Sequence, residues 1–271
     1  MRAGWHQLSG VAEGSPLLEL RGIEKRYGAV RALAGVDFDV RAGEVVALAG
    51  DNGAGKSTLV KVITGAGPAD AGEIGFDGRP VRIASPHDAA TLGVAAVYQD
   101  LALCDNLDVV ANLFLGREQR RGGRRGPLDG IAMEQRAGEL LASLSSGNFD
   151  DVRREVGTMS GGQRQSVAIT RALLSEARLV VLDEPTAALG VIQTEQVLAL
   201  VRRLRDRGLG VVLVSHNLAD VFAVADRIAV LRLGRNAGVF AAEPERRSEV
   251  VAAITGVAGD LTPLAVGEDE A

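Results

Sequence analysis

The sequence predicts an α/β fold in which a parallel β-sheet carries helices on both faces. Two observations predict it. Short apolar runs typical of buried strands alternate with helical stretches along the chain. The composition is 46% hydrophobic but only 3% aromatic, so the core has to be built from Ala, Val, Leu and Ile, which suits such a sheet. The length of 271 residues fits one large domain, or one domain with a subdomain.

The individual elements follow from hydrophobic runs and from turn residues. The predicted strands cover residues 17–20, 36–40, 44–49, 73–76, 93–98, 179–183, 209–214 and 227–231. Asp77-Gly78, directly after the fourth of these, predicts a hairpin turn. The predicted helices cover residues 56–64, 107–115, 133–144, 161–174 and 191–207. In the last of these, apolar residues from Val197 to Leu204 recur at spacings of three and four, which is typical of a helix face packed in the core.

The chain divides into one domain and two tails. We expect a flexible N-terminal tail at residues 1–16, the domain at 17–256, and an acidic C-terminal tail at 257–271. Residues from about 105 to 160 differ in character, because two helical stretches flank a Gly/Arg-rich loop at 120–125. We therefore expect an inserted helical subdomain there. The loop could be a patch for an anionic partner, but its glycines favour a solvated connection.

Charge and cysteine content exclude several classes of function. The net charge of −5 and the pI of about 5.4 disfavour nucleic acid as a partner, because its binders usually carry a basic surface. Cys104 is the one cysteine, so neither an internal disulfide nor a thiolate metal cluster is expected, and we expect a small buried hydrophobe. No apolar run approaches the ~20 residues of a membrane span, and residues 1–14 lack the pattern of a signal peptide. We therefore expect a cytosolic chain that reaches a membrane through a partner.

Residues 50–57 form a glycine-rich turn between a predicted strand and a predicted helix. They read GDNGAGKS and fit the phosphate-binding pattern G-x-x-x-x-G-K-[ST]. Glycines let successive backbone N–H groups surround phosphate oxygens, and the start of a helix adds partial positive charge. Lys56 would reach the β- and γ-phosphates, and the Ser57 hydroxyl would bind Mg²⁺. The residues expected to bind nucleotide are Gly50, Asp51, Asn52, Gly53, Ala54, Gly55, Lys56, Ser57 and Thr58.

Two acids, Asp183 and Glu184, follow the apolar run 179–182. The carboxyl ends of parallel strands form the usual ligand-binding edge of such a sheet. Asp183 would hold Mg²⁺ through water, and Glu184 could polarise the attacking water as a general base. Together with the glycine-rich turn, the two acids predict nucleotide hydrolysis.

The motif MSGGQ, which begins at Met159, resembles the signature motif of ABC ATPases, usually L-S-G-G-Q. A Ser-Gly-Gly turn before a helix provides an anion-binding helix N-terminus. In the ABC family this motif closes over the γ-phosphate bound by the opposite subunit. The residues that match it are Ser160, Gly161, Gly162 and Gln163. The resemblance therefore implies two P-loop domains that hold two ATP molecules between them.

Three further residues lie where this resemblance expects them. Tyr27, in RYG, matches the aromatic residue that stacks on adenine. Gln99, in VYQD, matches the glutamine that senses Mg²⁺ and the membrane partner, and His216, in VSHN, matches the histidine that contacts the γ-phosphate. The resemblance thus assigns catalysis to Glu184, His216 and Lys56. It assigns the metal to Ser57, Gln99 and Asp183.

The resemblance covers residues 17–256 and carries an expected fold. It implies a P-loop NTPase core of the RecA-like type, with an antiparallel β subdomain and an inserted α-helical subdomain.

Finer resemblance points to the ATP-binding subunits of bacterial importers for ribose, xylose and fructose. It rests on residues 112–118, 160–168, 187–190 and 249–256. Most such subunits contain two fused ATPase domains, but this chain has one, as fructose-type members do, so a homodimer is implied. The implied cofactors are ATP and Mg²⁺. The implied partners are transmembrane permease subunits and, through them, a periplasmic or extracellular sugar-binding protein, which places the chain on the cytoplasmic face of the membrane.

Two other functions remain open at this point. One is an importer ATPase for another solute, such as branched-chain amino acids. The second is a non-transport ABC ATPase in translation or DNA repair. Translation factors of this kind carry fused ATPase domains and a basic linker, and repair members carry coiled coils or zinc cysteines, none of which the sequence contains. The sugar itself is not specified by this chain, because the partners select it.

Gly190 departs from the family pattern, which usually has aspartate after the segment PTAAL. In the family this aspartate lies at the dimer interface. One interpretation is that glycine alters coupling between the two ATP sites without loss of hydrolysis. The alternative is that glycine simply fits a tight turn.

Overall fold

The computed structural model describes residues 15–123, 125–144 and 151–256. The predicted C-terminal tail and all of the N-terminal tail except residues 15 and 16 lie outside the described residues, as does Arg124 in the basic loop. Within the described ranges, the strands form two sheets. The predicted α/β class is confirmed.

The larger sheet has the strand order β10-β9-β3-β8-β7-β6. Its strands are β3 (Val45–Ala49), β6 (Val94–Val97), β7 (Leu179–Asp183), β8 (Gly210–Val214), β9 (Arg227–Arg232) and β10 (Arg235–Ala241). Neighbouring strands from β9 to β6 run parallel, and β10 pairs antiparallel with β9 at the edge. Every residue of β3 and β8 is buried, as expected for strands covered on both faces.

The smaller sheet is antiparallel and has the strand order β2-β1-β4-β5. Its strands are β1 (Leu18–Tyr27), β2 (Val30–Val40), β4 (Ala71–Phe76) and β5 (Arg79–Val81). The hairpin predicted at Asp77-Gly78 joins β4 to β5. A turn of this kind needs positive φ angles, and Asp77 and Gly78 have values of 55° and 70°.

Helices cover the larger sheet and fill the segment between β6 and β7. They are α1 (Lys56–Ile63), α2 (Pro86–Thr91), α3 (Val109–Phe114), α4 (Gly130–Leu144), α5 (Gly161–Leu173), α6 (Val191–Asp206), α7 (Leu218–Val224) and α8 (Arg247–Thr255). The predicted apolar face of α6, formed by Val197, Leu200, Val201 and Leu204, is buried. The last three of these share one core with strands β7 and β8. No helix among the described residues is long and apolar enough to cross a membrane.

The segment predicted to be a helical subdomain contains α3 and α4, which share a separate apolar core with Met159 and with Val167 of α5. Asn112 is fully buried in it, and its side chain binds the backbone N–H and carbonyl of Cys104. Cys104 is only partly buried, contrary to the prediction of a buried hydrophobe, because it lies in the loop that Asn112 holds. The division into domain and subdomain stays a prediction.

A buried ion cluster joins the two sheets. Arg227, which begins β9, donates through Nε to Glu44 at 2.6 Å and through Nη2 to Asp39 of β2 at 2.8 Å. Only 4% of the Arg227 side chain is exposed. These carboxylates hold the pKa of Arg227 above its usual range although burial opposes this. The antiparallel sheet is thereby fixed against the parallel sheet that carries the candidate site.

Candidate active site

The glycine-rich loop joins the carboxyl end of β3 to the first turn of α1. Gly50 has a φ of 149°, and a Cβ at this position would lie 2.3 Å from the carbonyl oxygen of Leu231. Gly55 is the N-cap of α1 with a φ of 107°. These two positions therefore require glycine, which explains why the loop can direct its N–H groups inward.

Lys56 is folded over this loop. Its Nζ donates to the carbonyl oxygen of Gly50 at 2.6 Å and to that of Asp51 at 3.1 Å. A lysine held at both carbonyls has its charge at the centre of the loop, where phosphate oxygens would lie. Lys56 is the first residue of α1, as the predicted helix start at residue 56 implied.

The two predicted catalytic side chains Glu184 and His216 are in contact. They follow the adjacent parallel strands β7 and β8, whose register pairs Asp183 with Val214. Glu184 Oε2 lies 2.7 Å from Nδ1 of His216, and the Glu184 backbone N–H donates to the Val214 carbonyl at 2.9 Å. Glu184 has 18% of its side chain exposed and His216 has 74%. The pair is therefore mostly buried at Glu184, whereas His216 is open to solvent and accessible to a ligand.

Glu184 adopts a backbone conformation that is uncommon for a residue with a side chain. Its φ is 51°, in the left-handed region. Such strain is found mainly at functional sites, where the surrounding structure holds it. Here the hydrogen bond to Val214 and the contact with His216 hold it.

Asp183 provides the electrostatic evidence for a cation site. Burial and the neighbouring charge of Glu184 raise the pKa of Asp183, and the charge of Lys56 opposes this. The carboxylate is therefore destabilised in its charged form, and a divalent cation would relieve this. The predicted ligands Ser57, Gln99 and Asp183 supply hydroxyl, amide and carboxylate oxygens, the donor set that Mg²⁺ prefers. The residues present thus fit the metal.

Gln99 lies on the same edge of the sheet as Asp183. It follows β6, the strand next to β7, in a register that pairs Val97 with Leu182. The side chain is exposed. Gln99 therefore lies at the same carboxyl edge of the sheet as Asp183, and its role as a metal ligand stays a prediction.

A hydrogen bond that the sequence did not predict joins the loop after Glu184 to the helix after His216. The hydroxyl of Thr186 donates to Oδ2 of Asp220 at 2.6 Å, and Asp220 is buried in α7. Asp220 connects the loop after Glu184 to the helix after His216. A buried acid on a seven-residue helix 34 positions away gives no local pattern that could identify it.

The signature residues cap α5 as predicted. Ser160 accepts from the backbone N–H of Gln163, and the Gln163 side chain accepts from the N–H of Ser160, which completes a capping box. Gly162 packs closely against Gln193 of α6, since a Cβ there would lie 3.0 Å from the Cβ of Gln193. The packing of Gly162 on Gln193 holds the signature against α6. The role of the signature toward the ATP of another chain stays a prediction.

Gly190 is the N-cap of α6, with φ −74° and ψ 168°. Any residue adopts this extended conformation, so the backbone here does not require glycine. The backbone angles therefore do not support the tight-turn interpretation, which stays a prediction. A Cβ at Gly190 would lie 2.6 Å from Oε1 of Gln193, so glycine accommodates the close approach of that side chain.

Tyr27 ends β1 on the smaller sheet and has 46% of its surface exposed. Nζ of Lys25 lies 5.7 Å from the centre of its ring. An exposed ring with a cation near it can stack on a base. Its contact with adenine stays a prediction.

A cavity of about 470 Å³ borders the glycine-rich loop and His216. It is lined by Ala49, Gly50, Asp51, Asn52, Ser215, His216, Leu218, Val251 and Ile254. A larger cavity of about 950 Å³ lies over the smaller sheet, but none of the predicted site residues lines it. We assign the smaller cavity to the candidate site because four predicted site residues line it: Gly50, Asp51, Asn52 and His216.

Comparison with known proteins identifies the family. The model described as "ABC transporter" matches residues 33–187. The fructose import ATP-binding protein FrcA of Rhizobium meliloti is 46% identical over 245 residues, which are 89% of this chain and 94% of the relative. The xylose/arabinose import ATP-binding protein XylG of Sulfolobus acidocaldarius is 46% identical over 82% of this chain and 86% of its own length. The ribose import ATP-binding protein RbsA 1 of Rubrobacter xylanophilus is 47% identical over 85% of this chain, but this is only 45% of its own length.

Solved structures agree with these relatives. An ATP-binding cassette of an ABC transporter in its ADP conformation aligns with a TM-score of 0.76 and 27% identity, over 90% of this chain and 100% of that one. A dimeric bacterial ABC transporter cassette aligns with a TM-score of 0.69 and 25% identity, over 83% and 99%. The predicted P-loop fold and the predicted resemblance to sugar-import ATP-binding subunits are confirmed. The chain belongs to the ABC transporter family.

Proposed function

We propose that this chain hydrolyses ATP and thereby drives import of a monosaccharide through a membrane permease. The observation that carries the hydrolytic part is the 2.7 Å contact between Glu184 and His216, beside a loop whose Lys56 is held at its centre. Four side chains needed for phosphoryl transfer therefore meet at one sheet edge: Lys56, Asp183, Glu184 and His216.

Each of these groups has a role in the proposed step. The loop N–H groups and Lys56 bind the phosphates, for which Lys56 exchanges its two carbonyl partners for phosphate oxygens. Glu184 accepts a proton from the water that attacks the γ-phosphorus, and the bond to the bridging oxygen breaks to release ADP and phosphate. His216, fixed by Glu184, donates to a γ-phosphate oxygen and keeps the general base oriented. Mg²⁺ at Ser57, Gln99 and Asp183 would neutralise charge that builds up on the phosphates.

The active unit in this proposal is a two-fold homodimer. The capped N-terminus of α5 with Ser160 and Gly162 would face the γ-phosphate held by the second chain. The dimeric related cassette supports this arrangement. Because ADP lacks the γ-phosphate, dimerisation should depend on the nucleotide.

Sedimentation of the Glu184→Gln variant tests the dimer. With ATP and Mg²⁺ it should sediment as a dimer, and with ADP as a monomer. The same measurement with permease present tests whether the membrane partner supplies missing stability. Equal monomer content under both nucleotides, with and without permease, contradicts the dimer.

The sugar substrate class is supported by the relatives at 43–47% identity, which are all named as sugar-import ATP-binding proteins. The partners would be transmembrane permease subunits and, through them, a sugar-binding protein outside the membrane. The chain would lie on the cytoplasmic face, with the segment at 105–160 and Gln99 against the permease. Deleting the gene should abolish high-affinity uptake of at least one monosaccharide, and complementation with Glu184→Gln should not restore it. Normal uptake across a monosaccharide panel, with loss of an amino acid instead, would favour the other importer class.

A further inference from the structure

Residues 98–102, which we call the Gln99 turn, are fastened at both ends to helices of the proposed site. The turn follows β6 and contains the predicted metal ligand Gln99. One end binds α1, the helix that begins at Lys56. The other end binds α5, the helix that begins at the signature.

The first attachment is a hydrogen bond between side chains. The hydroxyl of Tyr98 lies 3.0 Å from the hydroxyl oxygen of Thr64, the C-cap of α1. Thr64 in turn donates to the carbonyl of Val60 at 2.9 Å, inside the helix. The start of the turn is thereby tied to the phosphate-binding helix.

The second attachment is made by Arg171 in the last turn of α5. Its Nη1 donates to the carbonyl of Ala102 at 2.6 Å, and its Nη2 donates to the carbonyl of Leu101 at 2.8 Å. The planar guanidinium holds both carbonyls at once, which a lysine ammonium on a flexible stem does less well.

The two residues that Arg171 binds have an unfavourable backbone conformation. Leu101 has a φ of 56° and Ala102 a φ of 46°, both in the left-handed region. Consecutive residues of this kind persist only where neighbouring groups hold them. Arg171 supplies bonds to both carbonyls, and the Leu101 side chain packs against the core that contains Ile169 and Ala172 of α5. Without the guanidinium, the backbone is free to relax and to displace Gln99.

We propose that Arg171 is a positioning residue for ATP hydrolysis, which fixes the Gln99 turn to α5 so that Gln99 and the signature keep one spatial relation. The helix Gly161–Leu173 spans roughly 20 Å, at about 1.5 Å for each residue, and can transmit this relation as a rigid rod. Arg171 itself would not touch the nucleotide. The inference rests on the proposed function, because it concerns the rate of the same reaction.

The test compares Arg171→Met and Arg171→Lys with the parent chain. Arg136→Met is the matched control, since Arg136 is an exposed arginine of α4 that pairs with Glu139. For each variant, ADP affinity, kcat and KM for ATP, and the thermal midpoint are measured. We expect Arg171→Met to lower kcat by about 10- to 100-fold, the usual effect of a misplaced catalytic group. ADP affinity should change by less than about twofold, because the glycine-rich loop is untouched. Arg171→Lys should recover part of the rate, and Arg136→Met should match the parent.

A second variant covers the case in which Arg171→Met does not fold. Tyr98→Phe removes only the hydroxyl of the other attachment and should also lower kcat with unchanged ADP affinity. Parental kcat in both folded variants overturns the inference. If the decrease in kcat disappears once the rates are corrected for the folded fraction, the inference is also overturned, because Arg171 then contributes to stability alone. If the parent chain itself does not hydrolyse ATP, the proposed function has failed. This outcome differs from the two results above, in which the parent is active and only the role of Arg171 is overturned.

Discussion

Oε2 of Glu184 lies 2.7 Å from Nδ1 of His216, although the two residues are 32 positions apart in the chain. Parallel pairing of β7 with β8 brings them together, because both follow the carboxyl ends of neighbouring strands. The same edge holds the loop after β3, so the sheet order brings the residues proposed to bind phosphate next to those proposed to catalyse hydrolysis.

Lys56→Ala should weaken ATP binding. Hydrogen bonds to charged groups contribute about 1.5–3 kcal/mol, so the dissociation constant should rise by roughly 10- to 100-fold. Isothermal titration with ATP and Mg²⁺ measures this. Lys61→Ala, an exposed lysine in the last turn of the same helix, is the control and should bind as the parent does. Equal affinity of the parent and the Lys56 variant would remove Lys56 from the site.

Asp183→Asn should stabilise the nucleotide-free chain while abolishing hydrolysis. Since the folded state raises the pKa of Asp183, folding favours the protonated form. The stability from this group is present at acid pH and is lost as the pH rises through its raised pKa. The neutral amide avoids that loss, so the variant should be more stable at pH 7–8 by roughly 0.5–2 kcal/mol, a range usual for single stabilising changes.

Urea unfolding of both chains between pH 4 and pH 8 provides the measurement. The difference in the free energy of unfolding should shrink toward acid pH. A constant difference across the series would show that ionisation of Asp183 is not its cause.

Gly190→Asp should fold as well as the parent and change how the ATPase rate depends on ATP concentration. The extended backbone accepts aspartate. Aspartate and glycine at an N-cap change the free energy of unfolding by only about 0.3 kcal/mol relative to each other. Oε1 of Gln193 has to move, since it lies 2.6 Å from the position of the new Cβ. ATPase rates are measured with the permease for this variant and for Gly190→Ala. The comparison separates the effect of the carboxylate from the effect of the added Cβ. An unchanged curve and Hill slope in Gly190→Asp would contradict a role in coupling.

Arg227→Ala should destabilise the fold strongly. It removes the guanidinium that donates to Glu44 at 2.6 Å and leaves this carboxylate, which is 7% exposed, with the longer 3.8 Å contact to Nη1 of Arg41. Breaking a buried pair in this way costs about 3–5 kcal/mol. Arg178→Ala is the control, because its pair with Asp77 is exposed and such pairs contribute about 1 kcal/mol or less. Chemical denaturation measures both. Similar losses in the two variants would mean that the cluster does not hold the sheets together.

The sequence predicted the buried strands well but not the partly exposed ones. The strand predicted at residues 17–20 continues to Tyr27, and the one predicted at 36–40 begins at Val30. Charged residues and register shifts interrupt the alternation of β1 after Leu20, so no period of two is visible there. Short helices such as α2 and α7 were also missed, because a few residues cannot establish a period.

The site was predictable where its residues stand in local motifs. The loop from Gly50 to Ser57, the pair Asp183 and Glu184, and Ser160 each occupy one short segment. The bonds from Thr186 to Asp220 and from Arg171 to Leu101 were not predictable, because they join segments 34 and 70 positions apart. Only the packing of the helices on the sheet brings such residues together.

The rate of ATP hydrolysis by the Glu184→Gln variant is the most direct test of Glu184 as the general base. The amide keeps the shape of the side chain but cannot accept the proton from water, and general-base catalysis contributes about 10²- to 10⁴-fold. We therefore predict that the purified variant binds ATP as the parent does and hydrolyses it at least about 100-fold more slowly. Glu195→Gln, an exposed acid of α6, should keep the parental rate. Hydrolysis by Glu184→Gln at the parental rate would contradict the assignment of Glu184 as the general base.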